Sequence, residues 1–419
     1  MSTKLRVTLV LGLSAKLIAC SATPPSDPIV GGGSSAGGSS AAGTSGNASG
    51  GSPAMAGSAS GGAANAGTAN GGTASGGSAS GGGATGGTTA GGSSGGGGGS
   101  MGGSSGAGGS GGGSSAVPSK GCGNKDGLKT LTTGGMSVAN GLPTSTRLKI
   151  TSGGSSREYI IDVPADYDPT RPYRLIFSWH QAYGSDTGNA IGQTPAFQGP
   201  NFDAKNYAFY GLRREATAAN ESAIFVSPEG IGNLPWDFNR DSALFDDLLA
   251  LVDENLCIDD SRVFSTGFSF GAMMSYALSI TRQKKLRAVV AMAPANYNLP
   301  GEPTDSNEAP IAYMGTTGMS DGTCPWVNND GAKQGGKYCA LQHAEDNGCT
   351  VPASIQTAMT GSKKYSCYDF EGCKAGYPVK VCTFDGAHTP ASVDDGNSSG
   401  DDGLKAFIPP LAWKFIAQF

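Results

Sequence analysis

Gly267-Phe268-Ser269-Phe270-Gly271 is a G-x-S-x-G pentapeptide, a spacing that lets a strand run through a tight turn into a helix with a serine hydroxyl at the apex. The spelling alone decides nothing, because GSSAG from Gly33 and GGSSG from Gly91 match it as well. What separates the three is context. Val263-Phe264-Ser265-Thr266 reads as a short apolar strand before the pentapeptide, and Ala272 to Ile280 reads as an apolar helix after it. The copies at Gly33 and Gly91 have neither, so Ser269 is the candidate nucleophile.

A serine hydroxyl needs a base, and the base needs a carboxylate to orient it. On strand–turn–helix scaffolds the partners follow in the order Ser, then Asp or Glu, then His. The chain has three histidines, and two follow Ser269. His343 sits in the helical, solvated-looking ALQHAE, whereas His388 sits in the loop DGAHTP after the strand Val379 to Phe384 and is the expected base. His180 closes the strand RLIFSWH ahead of the serine and reads as a structural residue. The acid should leave the preceding strand, Ile311 to Met314, which points to Asp321, with Asp330 as the second choice. Asp385 reads as a turn residue, and Asp394 and Asp395 follow the histidine. An anion developing on an acyl carbonyl also needs donors: the backbone N–H of Phe270 and that of Gln181, with Ala182 and Tyr183 as neighbours of the latter. Trp236, Phe268 and Phe270 are candidates for an aromatic substrate wall, Trp236 foremost.

These residues need a scaffold that gathers them at one edge. Strand candidates at 158–163, 173–179, 223–227, 263–266, 288–293, 311–314 and 379–384 alternate with helical patterns. One such helix, Asp241 to Leu256, reads as capped by Asp241. The alternation predicts an α/β fold with a mostly parallel central sheet covered by helices on both faces.

Composition divides the chain of 419 residues into parts. Residues 1–20 read as a signal segment: Lys4 and Arg6, an apolar run, then Leu17-Ile18-Ala19-Cys20, a lipobox in which Cys20 becomes the lipidated first residue; a plain signal cut near Ala22 is the alternative. No apolar run approaches the roughly 20 residues a bilayer crossing needs. Residues 21–116, almost wholly Gly, Ser, Ala and Thr over most of their length, read as a disordered linker with a typical reach of roughly 50 Å. Residues 117–419 form the catalytic domain, read as a monomer. A net charge of −5 without a basic patch argues against nucleic acid as a partner. Besides Cys20 there are eight cysteines, an even number that in an exported domain suggests disulfides; neither C-x-x-C spacing nor a histidine cluster suggests a metal, and no cofactor is expected.

In order along this domain, Gly121-Cys122-Gly123, Arg157 to Ile161, Pro172 to Phe177, Tyr210-Gly211-Leu212, Ala219 to Val226, Gly267 to Gly271, Gly315 to Asp321, Asn347-Gly348-Cys349, Gly386 to Pro390 and Trp413-Lys414-Phe415 resemble the secreted feruloyl esterases related to polyhydroxybutyrate depolymerases. The resemblance implies an α/β hydrolase that cuts hydroxycinnamoyl esters from plant cell-wall arabinoxylan, with its triad at Ser269, Asp321 and His388. Two departures lie near the expected pocket. Where the family reads His-Trp or His-Gly followed by glycines, this chain reads His180-Gln181-Ala182-Tyr183-Gly184, and where the acid loop usually carries His-Gly it has Thr317-Gly318. A polyhydroxybutyrate depolymerase or an acetylxylan or general polyester esterase shares the same triad and is the alternative. A non-catalytic surface binding protein is a third reading, against which the complete Ser, Asp, His order counts.

Overall fold

Short runs dense in β-branched and aromatic residues, such as YRLIFSW, AIFVSP and AVVAM, cannot leave either face in water and form the centre of one nine-stranded sheet. The structure, a computed structural model, describes residues 115–132, 147–192, 204–301, 303, 309–327, 335–393 and 405–419. The signal segment with Cys20, all but the last two linker residues, and Asp330, Asp394 and Asp395 lie outside the described residues. The strands are β1 (Leu148–Ser152), β2 (Ser155–Asp162), β3 (Tyr173–Trp179), β4 (Ala223–Pro228), β5 (Ile258–Phe268), β6 (Ala288–Met292), β7 (Ala312–Gly318), β8 (Tyr365–Asp369) and β9 (Val379–Phe384). Their spatial order is β1-β2-β4-β3-β5-β6-β7-β9-β8. From β4 to β9 all neighbours are parallel; β1, β2 and β8 are antiparallel additions at the two edges.

Parallel neighbours need crossovers, and except between β6 and β7, where no helix stands among the described residues, they are built on helices. The longer ones are α4 (Phe238–Asn255), α5 (Phe270–Thr281), α6 (Gly336–Asp346) and the C-terminal α7 (Ile408–Ala417); α1 (Gly127–Thr132), α2 (Asp186–Ile191) and α3 (Leu212–Ala218) are short. Helix α5 is buried over nearly its whole length, which explains why its sequence is apolar all round.

The differences from the sequence reading have local causes. Strands β1 and β8 are edge strands of mixed polarity that carry no continuous apolar run; β1 is joined to β2 by Gly153-Gly154, both at positive φ. Strand β5 begins at Ile258, five residues before the expected Val263, because its polar start is satisfied internally. Asp259 Oδ1 accepts from the Val117 and Ser261 N–H groups, and its Oδ2 accepts from Arg262 Nε. Helix α4 is capped by Asp237, whose side chain accepts from the Arg240 N–H. Asp241, the expected cap, lies inside the first turn, fully buried, and pairs with Arg157 at 2.6 Å. Six cysteines form three disulfides: Cys122–Cys257, Cys349–Cys373 and Cys367–Cys382. The first ties the start of the domain to the foot of β5 across 135 residues, and the third staples edge strand β8 to β9. Cys324 and Cys339 are buried outside these bridges.

Candidate active site

The carboxyl ends of β3, β5, β7 and β9 lie along one edge of the parallel sheet, with β6 between β5 and β7, so loops leaving them share that edge. At the end of β5 the chain reverses at Ser269, which sits at φ 55°, ψ −120°, and α5 starts with Phe270. A non-glycine residue there is strained, a conformation that persists only where surrounding structure imposes it. Here the Ser269 N–H is held by the Met292 carbonyl at 3.0 Å and its carbonyl by the Met273 N–H at 3.0 Å. The flanking glycines are required by approach distance: a Cβ on Gly267 would collide with the Gly271 carbonyl, and one on Gly271 with the Trp179 carbonyl. Ser269 is therefore fixed through its backbone, and its side chain takes no part in capping the helix.

Asp321 and His388, the acid and base expected from sequence, come from neighbouring loops that are laced together. After β7 the Met319 N–H bonds to the Phe384 carbonyl at 2.8 Å and the Ser320 N–H to the Gly386 carbonyl at 2.9 Å. Gly318 packs so closely on Gly386 and Ala387 that it leaves no space for a Cβ. The lacing sets Asp321 Oδ2 2.7 Å from His388 Nδ1. Its Oδ1 accepts from the Thr323 and Cys324 N–H groups at 2.8 and 2.7 Å, so the carboxylate is oriented from both sides. The imidazole lies against Phe268, ring centroids 4.6 Å apart, which brings it beside the serine turn with Nε2 as the nitrogen that Asp321 leaves available. Phe268 is itself 2 % exposed and is packed beneath the His388 ring, not open as the substrate wall expected from sequence.

The other two histidines are engaged elsewhere. His343 is not solvated as expected: it is buried in α6, stacked on Tyr313, with Nε2 on Ser279 Oγ at 2.8 Å and Nδ1 on the Cys339 carbonyl at 2.7 Å. His180 accepts the Gly230 N–H at Nε2 and faces the Gln181 carbonyl with Nδ1. Burial pushes both imidazoles down to about 4. In the unfolded chain a histidine binds its proton near pH 6.5, so from there down to about pH 4 the unfolded state holds more protons and stability falls with pH. For His343 this amounts to at most about 3 kcal/mol at the acid end. Glu229 and Asp162, whose pKa values are raised to about 7 and about 6 mainly by burial, work in the opposite sense. The contribution is therefore read as a difference. Between pH 6.5 and 4, denaturant-derived stability of the wild type should drop more steeply than that of His343→Gln, and parallel slopes would refute the assignment.

The loop after β3 is held on all sides. Its start is gripped by Trp236, which is 1 % exposed, stands edge-on to Trp179 and donates Nε1–H to the His180 carbonyl at 2.8 Å. Trp236 is thus enclosed behind the loop, which corrects its placement on a substrate wall. The loop ends at Asp186, fully buried, which takes Arg147 Nε at 2.8 Å and gives its N–H to Glu229 at 2.7 Å. Tyr210, missed as a site residue because tyrosine in a loop carries no distinctive sequence signal, lies beneath. Its buried hydroxyl donates to the Trp179 carbonyl at 2.9 Å and contacts Gln181 Oε1 at 3.3 Å. Burial raises its pKa strongly, partly opposed by the backbone amides of Phe268 and Gln181 that face it. Gln181 is 5 % exposed, and its Nε2 has no hydrogen-bond partner among the described residues.

The curated proteins this chain is similar to are feruloyl esterases. The family described as Phospholipase/Carboxylesterase matches residues 235–359. Feruloyl esterase D of Neurospora crassa is 31 % identical over 306 residues, 73 % of this chain and 91 % of that protein. A probable feruloyl esterase C of Aspergillus terreus is 34 % identical over 268 residues, 62 % of this chain and 84 % of that one. Among solved structures, an acetyl xylan esterase from Aspergillus awamori aligns over 66 % of this chain and 100 % of its own at 13 % identity, with a TM-score of 0.44.

Proposed function

The chain belongs to the feruloyl esterase family of the α/β hydrolases and is a carboxylic ester hydrolase, and from that premise we propose that it releases hydroxycinnamic acids from plant cell-wall arabinoxylan through a Ser269–His388–Asp321 triad. The observation that carries the reading is the Asp321–His388 pair, 2.7 Å apart, set beside a serine in a strained turn. With Nδ1–H donated to Asp321, His388 Nε2 is a lone-pair base for the Ser269 hydroxyl proton. Serine attacks the ester carbonyl, and the tetrahedral oxyanion takes hydrogen bonds from Phe270 and Gln181. Phe270 offers the first N–H of α5, which has no carbonyl one turn earlier to bond. Gln181 offers two donors to the oxyanion, the backbone N–H expected from sequence and the side-chain Nε2, which is buried without a hydrogen-bond partner among the described residues. Collapse of the tetrahedral species transfers the His388 proton to the leaving alcohol and gives an acyl-Ser269. Water then attacks that ester, giving its proton to His388, and the acid departs as serine is restored.

The same reading places the enzyme outside the cell, since three disulfides suit an oxidising compartment. In it Cys20 anchors the chain to a membrane surface by lipid, and residues 21–116 let the domain search a polymeric ester substrate. The test is hydrolysis of methyl ferulate and of a polyhydroxybutyrate suspension in parallel, with Ser269→Ala as the blank. Ferulate release alone is expected. Clearing of the polymer without ferulate release would move the chain to the depolymerases, and silence on both would overturn the substrate class.

A further inference from the structure

Within the loop His180–Ser185, which links β3 to α2, Tyr183 adopts φ 59°. The left-handed region is one that glycine enters freely and a bulky side chain does not. Burial does not offset the strain, because Tyr183 is 53 % exposed. A residue that is both strained and unburied contributes nothing to folding that glycine would not contribute better, which turns attention to what the side chain does outside the fold. Its backbone is nevertheless fixed: the Tyr183 N–H bonds to the Asn233 carbonyl at 2.9 Å, and the Gly184 N–H to the Gln181 carbonyl at 3.0 Å. The ring is therefore carried on a rigid mount.

The neighbourhood is apolar as well. Eight large hydrophobic side chains are exposed among the described residues, and four of them, Tyr183, Ile231, Leu234 and Val327, stand on loops leaving the carboxyl ends of β3, β4 and β7. That clustering is at the edge that holds Ser269 and His388. Ile231 and Leu234 lie on either side of Asn233, the residue that ties Tyr183 down, so the exposed apolar residues of the two loops are joined through one backbone hydrogen bond.

We propose that Tyr183 is the acyl-recognition residue of this esterase, stacking its ring on the planar aryl group of a hydroxycinnamoyl ester while Ile231 and Leu234 extend the platform. The proposal rests on the feruloyl esterase reading above and adds where the aryl group binds. Tyr183 is two residues beyond Gln181 in the same turn, at most roughly 7 Å of chain away. In a hydroxycinnamoyl ester a rigid conjugated spacer sets the aryl ring at a comparable distance from the carbonyl that Gln181 would polarise. Offset stacking of two aromatic rings adds to the area they bury, and the Tyr183 backbone, held at Asn233, fixes the point from which its ring projects.

The test compares methyl ferulate with methyl butyrate, which share a leaving group and differ only in the acyl part, on the purified protein and its Tyr183→Gly and Tyr183→Phe variants. Tyr183→Gly should raise KM for methyl ferulate roughly five- to tenfold, an effect of the size of one lost aromatic pair. It should leave kcat on ferulate and both constants on butyrate within about twofold, and it should not lower the melting temperature, since glycine relieves the strained φ. Tyr183→Phe should keep the wild-type KM. Equal losses on both esters would mean that Tyr183 only positions the oxyanion loop, and an unchanged ferulate KM would mean that it touches no acyl group; either overturns the proposal. A wild type that cleaves butyrate but not ferulate would overturn the feruloyl reading and this proposal together.

Discussion

Ser269→Ala should lower kcat for ester hydrolysis by about 10⁴-fold or more while the protein stays folded and keeps its KM within a fewfold. The size follows from the chemistry: without the hydroxyl no acyl-enzyme forms, and what is left is catalysis by the oxyanion donors and bound geometry acting on water. The stability half of the expectation follows from the turn. Both hydrogen bonds that hold residue 269, to Met292 and Met273, are made by its backbone, and the side chain caps nothing, so alanine inherits the same supports and the same strain. Circular dichroism, a melting curve and initial rates on methyl ferulate test the two halves separately. A folded Ser269→Ala protein with more than a few per cent of wild-type activity would remove Ser269 as nucleophile.

The sequence carried the centre of the fold and lost its margins, for a physical reason. Strands buried on both faces, such as β3, β4 and β6, are apolar without interruption and stand out; β1 and β8, open to solvent, read as loops, and β5 hid five residues behind Asp259-Asp260-Ser261-Arg262. The turn at Ser269 was legible because there the backbone restricts the residue type, as in the two glycines that flank it. What side chains do across the chain was not legible. Nothing local distinguishes Trp236 enclosed behind the loop after β3 from Trp236 lining a pocket, or His343 stacked on Tyr313 from His343 on a wet helix face, because both are settled by residues far away in sequence. Tyr183 is the converse case: its type was plain, but its strain and exposure belong to the folded loop.

Asp321→Asn is the sharper probe of the proposed triad, because it separates orientation from mere presence. In the wild type Oδ2 faces His388 Nδ1 while Oδ1 accepts two backbone N–H groups, from Thr323 and Cys324. Those two donors require an oxygen at the Oδ1 position, so an asparagine must place its NH₂ group where Oδ2 was. An NH₂ group cannot accept from Nδ1–H; it can only donate, and the imidazole moves its own proton to Nε2 to receive it. The nitrogen that should take the serine proton is then already protonated, and kcat should fall by about 10³ to 10⁴. The two backbone bonds survive, so the melting temperature should barely change. Asp321→Ala behaves differently: it leaves both N–H groups without their acceptor, each a cost of about 1–3 kcal/mol where it is cut off from water, so activity and stability should fall together. Measuring rates and melting curves of the pair decides between a carboxylate that sets a tautomer and one that only braces a loop. If Asp321→Asn kept a tenth or more of wild-type turnover, the acid of the triad would have to be sought at another carboxylate, and Asp330 is the one the sequence places next.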